Sequence, residues 1–306
     1  MYPHYVILVR IASIAAALLG VLAPALKAVY WRRWRTRQRP LPESTQIETL
    51  ISQEADNARI AIISSIFEPA AYLVPFLENL SSIEEASECE FVIVAIGISD
   101  QERNFLIDWS KNQRAVKIFT SSRNMPVYQA WNLAIQHSSA PLITNANVDD
   151  LKQNDLISRQ LAHMDKHPEI SVAYTDYFLD ARQKGSSEHP TVSSVRVGKQ
   201  TLGQMLFMGT NFAHASPVWR RTIHAEVGLF DSTFNSSGDA DLWLRCLMQG
   251  IEFDRIPGPP GYVYRLNENG LSTKADSLGR VEWGISIQKR LWALLARKWS
   301  FLGRKA

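Results

Sequence analysis

Short runs of consecutive apolar residues alternate along this chain with stretches in which apolar residues recur every three or four positions. The runs predict buried strands over 58–67, 90–98, 115–119 and 142–144. The periodic stretches predict helices from residue 69 onward, over 101–109 and over 127–137. Strands that alternate with helices predict an α/β fold, with a Rossmann-like, mostly parallel sheet flanked by helices.

The N-terminal region is apolar from residue 6 to residue 30 and is followed at once by a Trp- and Arg-rich segment. We interpret 1–39 as a membrane helix with a basic flank, which places the body of the protein in the cytoplasm, at the inner membrane of a bacterium. An interfacial helix and a cleaved signal peptide are the alternatives.

The rest of the chain divides into three predicted segments. Residues 40–57 are interpreted as a linker leading into a helix, and 58–278 as the main domain. Residues 279–306 are predicted to form a basic, Trp-rich amphipathic helix at the C-terminus, with apolar residues at helical spacing. This helix either packs on the domain or contacts lipid.

The charge of the chain is unevenly distributed. Of its 306 residues, the first 40 carry seven Lys and Arg and no acid, and residues 279–306 carry seven against one acid. The remaining middle is acidic, so the pattern argues against nucleic acid and favours an anionic membrane surface beside the two ends. The two cysteines, Cys89 and Cys246, lie far apart and indicate neither a disulfide framework nor a zinc site.

The fourth predicted strand runs directly into a cluster of hard-oxygen side chains, Asn147, Asp149 and Asp150. Carboxylates at the carboxyl edge of a parallel sheet suit Mg²⁺ or Mn²⁺ that bridges phosphate oxygens. The alternative is an acidic turn or a helix cap. Neither of the Gly-rich phosphate-loop patterns, GxGxxG and GxxxxGK[ST], occurs in the sequence.

A second acidic cluster, 238–245, opens an apolar helix. Asp239 there is either a helix cap or a general base, and Asp241 either faces the site or pairs with Arg245 on the helix. His214 is a further candidate, with a structural histidine as its alternative. The polar, Gly-bearing stretch 264–273, which contains Arg265, predicts a loop over a site.

The two clusters, their order and their spacing resemble the family-2 glycosyltransferases of the GT-A fold. The resemblance covers roughly residues 58–275 and includes a turn after the first strand, at 65–68, and a helix bearing Asn132, at 124–132. It departs from the family pattern at 95–100, which lacks the usual acids, and at Asn147 and Gly238, which replace acids.

The resemblance implies an inverting transfer from a nucleotide-diphosphate sugar to an acceptor hydroxyl, in cell-surface polysaccharide or glycolipid synthesis. It implies Mn²⁺ or Mg²⁺ as cofactor and a glycan or lipid-linked acceptor. Asp149 and Asp150 would hold the metal, and Asp239 would be the base. The residues implied in nucleotide-sugar binding are Ser65, Phe67, Glu68, Asn124, Asn132 and Asn147. Those implied in acceptor contact are His214, Asp241 and Arg265. The alternatives are a membrane-tethered, catalytically impaired homologue that acts as a binding subunit, and a nucleotidyltransferase.

Overall fold

The computed structural model describes residues 46–54, 57–122, 124–181, 192–214, 216–266 and 277–302. The anchor predicted at 1–39 lies outside these residues. A mixed sheet of eight strands forms the centre of the molecule, in the order β1-β4-β3-β2-β5-β10-β7-β11. Its strands are β1 (Ile47–Gln53), β2 (Ile60–Phe67), β3 (Cys89–Ile96), β4 (Val116–Ser121), β5 (Leu142–Asn145), β7 (Val172–Tyr174), β10 (Val218–Arg220) and β11 (Phe253–Arg255).

The four strands predicted from the sequence, β2 to β5, pair parallel with one another in this sheet. Strands β7 and β11 form a second parallel pair at its other end. Nearly every residue of β2 and β3 is buried, because helices cover both faces of the sheet. The helices are α1 (Leu73–Ser81), α2 (Asp100–Ser110), α3 (Val127–His137), α4 (Leu156–Lys166), α5 (Ile223–Val227), α6 (Gly238–Met248) and α7 (Gly279–Leu302). One apolar core packs α3 and α6 on one face, and the other packs α1, α2 and α4.

Strand β1 corrects the prediction of a linker leading into a helix at 40–57. It pairs antiparallel with β4 and has a bulge between Thr49 and Ile51. The bulge places Ile47, Leu50 and Ile51 on partly buried positions, which is the spacing of a helix. An irregular edge strand therefore gave a helical pattern in the sequence.

A second sheet of four strands, in the order β6-β12-β8-β9, lies beyond the carboxyl end of β5. Its strands are β6 (Leu151–Lys152), β8 (Tyr177–Asp180), β9 (Val192–Val195) and β12 (Tyr262–Arg265). Strand β6 begins directly after the Asp149–Asp150 pair and is antiparallel to β12. The start of the predicted loop 264–273 is thus strand, and residues 267–276 lie outside the described part.

The first half of α7 packs against α6 through buried polar residues. Together with β1, this helix extends the described domain past the predicted boundaries of 58 and 278. Among the residues described, no helix combines the length and the apolar character that crossing a membrane requires.

Candidate functional site

The carboxyl ends of the parallel strands lie side by side at one edge of the main sheet. Strand pairing places Phe67 beside Ile96, and Ile96 beside Ser121. Strand β5 ends at Asn145, which pairs with Ile63 four residues before the end of β2. The loop 146–150 therefore occupies the part of the edge where β2 and β5 separate.

Within this loop, the two carboxylates have different surroundings. Asp150 is buried and accepts hydrogen bonds from Tyr262 Oη (2.6 Å), the Arg265 backbone N–H (2.8 Å) and Asn147 Nδ2 (3.0 Å). Asp149 is only half-buried. Burial and the neighbouring charge of Asp149 raise the pKa of Asp150 to about 6, although the three hydrogen bonds oppose the shift.

The carboxylates fit a divalent cation that is shared with a substrate. No trio of His, Cys, Asp or Glu side chains in the described part of the chain makes a complete metal centre. Mg²⁺ is commonly held by one or two carboxylates and completes its shell with water and substrate phosphates. Asp150 is buried beneath three donors whereas Asp149 is half-buried, so Asp149 is the better placed ligand and Asp150 shapes the loop.

Asp239 lies in the first turn of α6 and is half-buried. Its carboxylate accepts hydrogen bonds from Tyr128 Oη at 3.0 Å and from Asn211 Nδ2 at 2.9 Å. The carboxylate also fixes the orientation of the Asn211 amide, since only the NH₂ end can donate. A helix N-terminus favours negative charge, and the two donors hold the carboxylate in one orientation.

Aromatic rings connect the surroundings of Asp239 to the second sheet. The His214 ring packs edge-on against Tyr177 (5.0 Å between centroids) and Tyr264 (5.6 Å). Burial lowers the pKa of His214 despite its hydrogen bond to the Asn211 carbonyl and the charge of Asp239. The carbonyl requires the proton on Nδ1, so His214 is a neutral ring near Asp239.

The predicted nucleotide-sugar residues divide into two groups. Ser65 is half-buried near the end of β2, while Phe67, Glu68 and Asn124 are exposed at the same sheet edge. Glu68 has φ +41°. Near the departure at 95–100, the loop after β3 forms a capping box between Ser99 and Glu102 at the start of α2.

Two predicted site residues have structural roles instead. The Asn132 amide is buried and bonds both the N–H and the carbonyl of Phe230, so it joins α3 to the segment before α6. Asp241 is fully buried and bonds Arg245, Arg290 and Ser286. Burial would raise the pKa of Asp241, but the two guanidinium groups lower it to about 2. Asp241 therefore stabilises the packing of α6 on α7 and does not face an acceptor.

Arg265 contributes only its backbone N–H, which donates to Asp150, to the candidate site. Its side-chain Nε lies 3.8 Å from Oδ2 of Asp180. Three further contributors, Tyr128, Asn211 and Tyr262, were missed from the sequence. Tyr128 falls on the apolar face of a helix, where an aromatic residue predicts core packing, and the other two occur in segments without a recognisable pattern. Their partners are distant in sequence, so no local signal identified them.

Comparison with known proteins identifies the family. The sequence model of glycosyl transferase family 2 matches residues 60–228, which include the Asp149–Asp150 loop and end before Asp239. An uncharacterized glycosyltransferase of Methanocaldococcus jannaschii is 19% identical over 230 residues, covering 71% of this chain and 78% of the relative.

Solved structures share the fold. A mannosyltransferase from Pyrobaculum calidifontis, in complex with GDP-Man and Mn²⁺, is 15% identical with a TM-score of 0.55, over 94% of this chain and 80% of that one. S. aureus TarS 1–349, in complex with UDP-GlcNAc, is 14% identical with a TM-score of 0.53, over 69% and 60%. The chain thus spans less than two thirds of that TarS chain. Because the family model covers more than half of its length, this protein belongs to glycosyl transferase family 2 and is a glycosyltransferase.

Proposed function

We propose that the protein transfers a sugar from a nucleotide-diphosphate donor to an acceptor hydroxyl with inversion at the sugar carbon. The observation that carries this proposal is the Asp239 carboxylate, oriented by two donors at a helix N-terminus. Strand β12 links the surroundings of Asp239 to the Asp149 loop. It supplies Tyr262 and Arg265, which donate to Asp150, and Tyr264, whose ring contacts His214.

On the donor side, Asp149, supported by Asp150, would hold Mg²⁺ or Mn²⁺, which neutralises the charge that develops on the leaving diphosphate. The exposed end of β2, with Phe67 and Glu68, provides a surface for the nucleoside at the same edge. The solved relatives bound to UDP-GlcNAc and to GDP-Man support a sugar nucleotide as donor.

On the acceptor side, two buried polar atoms beside the base have no partner among the described residues. They are Asn211 Oδ1 and Thr210 Oγ1. Buried polar atoms are normally hydrogen-bonded to protein or ordered water, so a bound water or ligand group would satisfy these two. An acceptor hydroxyl placed there would reach Asp239, which takes its proton as the hydroxyl oxygen displaces the nucleotide from the opposite side of the sugar.

We further propose that the protein works at the cytoplasmic face of a membrane on a lipid-linked acceptor. Leu278, directly before α7, and Val281 and Ile285 within it form an exposed apolar stripe at a spacing of three and four residues. The segment 279–306, which begins with α7, carries seven Lys and Arg and one acid. An exposed apolar stripe within a basic segment fits the surface of an anionic bilayer.

A transfer assay tests the reaction. The full chain is incubated with a panel of UDP- and GDP-sugars and lipid-linked acceptors, with Mn²⁺ or with EDTA. We expect Asp149→Asn to weaken metal-dependent donor binding, and Asp239→Asn to lower kcat by at least a hundredfold while donor binding persists. Asp108→Asn on exposed α2 is the matched control and should leave both unchanged.

Four results would each count against a part of the proposal. Near-normal transfer by Asp239→Asn would reject the assigned base. Full activity in EDTA would reject the metal. Metal-dependent donor binding by the wild-type chain, without transfer to any acceptor, would favour the catalytically impaired binding subunit, and pyrophosphate release from a nucleoside triphosphate would favour the nucleotidyltransferase.

A further inference from the structure

Tyr128 donates to Asp239 from a ring that is held in the apolar core. Its ring is 4% exposed and is stacked on Phe230 at 5.5 Å, with Trp131 edge-on at 5.5 Å. These contacts fix the ring, so the hydroxyl proton can move only by rotation about the C–O bond. The core therefore sets the position of the hydroxyl oxygen but not the direction of its O–H bond.

The hydroxyl of Tyr128 lies within hydrogen-bonding distance of two acceptors. The Ser236 carbonyl oxygen is at 2.8 Å and Asp239 Oδ1 is at 3.0 Å. A phenol carries one proton, so it donates to only one of them at a time. Burial, followed by the charge of Asp239, raises the pKa of Tyr128 well above its ordinary value, so the group keeps its proton at neutral pH.

The second acceptor is held in place independently of the base. Glu282 of α7 accepts the backbone N–H groups of Asn235 (2.7 Å), Ser236 (2.8 Å) and Ser237 (3.0 Å). This carboxylate fixes the segment that carries the Ser236 carbonyl. The two acceptors of Tyr128 thus stay at constant distances whichever way the hydroxyl points.

We propose that Tyr128 is a positioning residue whose hydroxyl turns between Asp239 and the Ser236 carbonyl as Asp239 gains and loses a proton. With Asp239 ionised, the hydroxyl donates to Oδ1 and, together with Asn211, directs the carboxylate at the acceptor. When the proton of the acceptor hydroxyl passes to Asp239, the Tyr128 proton turns to the Ser236 carbonyl. Tyr128 keeps its own proton throughout, and its bond selectively stabilises the ionised base.

This inference rests on the proposed role of Asp239 in transfer. Tyr128→Phe keeps the ring contacts and removes only the hydroxyl. We expect kcat to fall roughly tenfold in this variant while the donor KM stays unchanged, because the carboxylate is less well directed at the acceptor. In Asp239→Asn, which has already lost the base, adding Tyr128→Phe should lower kcat no further.

Trp109→Phe serves as the control, because it removes a part-buried hydrogen bond to Ser81 on the opposite face of the sheet. It should lower stability without lowering kcat.

An unchanged kcat in Tyr128→Phe, an equal loss in Trp109→Phe, or a further tenfold loss when Tyr128→Phe is added to Asp239→Asn would overturn the inference. Failure of the proposed function gives a different result, because Asp239→Asn itself would then remain active.

Discussion

Asp149 and Asp150 are adjacent in sequence, yet they differ in burial and in hydrogen bonding. Asp150 is enclosed by donors from a strand more than a hundred residues away, and Asp149 remains at the surface of the loop. A buried carboxylate that accepts several hydrogen bonds is a rigid support for its neighbour. Asp149, the half-buried carboxylate of the pair, is the one that a cation bound to the substrate would contact.

The pKa of another single residue, His224, predicts how the stability of the protein depends on pH. It accepts a hydrogen bond from Trp219 Nε1 (3.0 Å) and donates from Nδ1 to the Gly228 carbonyl (3.1 Å). Burial, with the nearby charges of Arg245 and Arg221, lowers its pKa from 6.5 to about 4. Between these values the unfolded chain binds more protons, so stability should fall as the pH drops, by up to about 3 kcal/mol.

Urea unfolding of wild type and His224→Gln at pH 7 and pH 4.5 measures this contribution. Gln offers a donor and an acceptor but does not titrate in this range. We expect the variant to lose less stability than wild type on acidification. Equal losses in the two proteins would show that His224 does not contribute to the pH dependence.

Among the elements, the contact between α3 and α6 depends on a residue that has no side chain. A Cβ atom at Gly238 would lie 2.6 Å from Cδ2 of Tyr128. Only glycine at the first position of α6 lets the aromatic ring pass under the helix and reach Asp239. Where the family pattern has an acid, this chain has Gly238, and the Tyr128 hydroxyl is the group that contacts Asp239.

Gly238→Ala should therefore displace the Tyr128 ring, lower stability by about 1–3 kcal/mol and reduce transfer together with it. Gly284→Ala on α7 is the matched control, because no other side chain or distant backbone atom lies within 4 Å of the Cβ atom that alanine would add. Alanine there should stabilise the helix by about 0.5–1 kcal/mol. Thermal unfolding and the transfer assay measure both. Equal stability and activity in Gly238→Ala and wild type would contradict the steric argument.

The elements predicted from the sequence are those with a regular period and local signals. Strands β2 to β5 are apolar runs, and α2 begins at a capping box that its own sequence encodes. Strand β1 was assigned wrongly because a bulge shifted its pattern, and β6 to β9 are short and depend on distant partners. In the site, the acidic clusters were visible, whereas Tyr128, Asn211 and the structural role of Asn132 depend on tertiary contacts.

For the whole molecule, the exposed apolar stripe of Leu278, Val281 and Ile285 predicts contact with a membrane surface, which a fluorescent label can test. The native thiols, Cys89 and Cys246, are both buried, so a cysteine placed at Val281, which is 60% exposed, can be labelled selectively. A polarity-sensitive fluorophore there should shift to the blue with vesicles that contain anionic lipid, and less with zwitterionic vesicles.

The control label replaces Lys111, at the end of α2 and well exposed. The emission of this label should not shift, because position 111 lies at the end of α2 and not on the apolar stripe. Identical responses at positions 281 and 111, or none at position 281, would contradict lipid contact by this face of α7.

The long sequence separations inside the site have a consequence for how the chain folds. Asp150 meets Tyr262 and Arg265 over 112 and 115 residues, and Tyr128 meets Asp239 over 111. Contacts that close such long loops should form after β2, β3 and β4 have paired, because those pairings close much shorter loops. During synthesis this part of the sheet can assemble while the side chains of the candidate site are still apart. We therefore expect the candidate site to be complete only when the C-terminal third of the chain has been made and has docked.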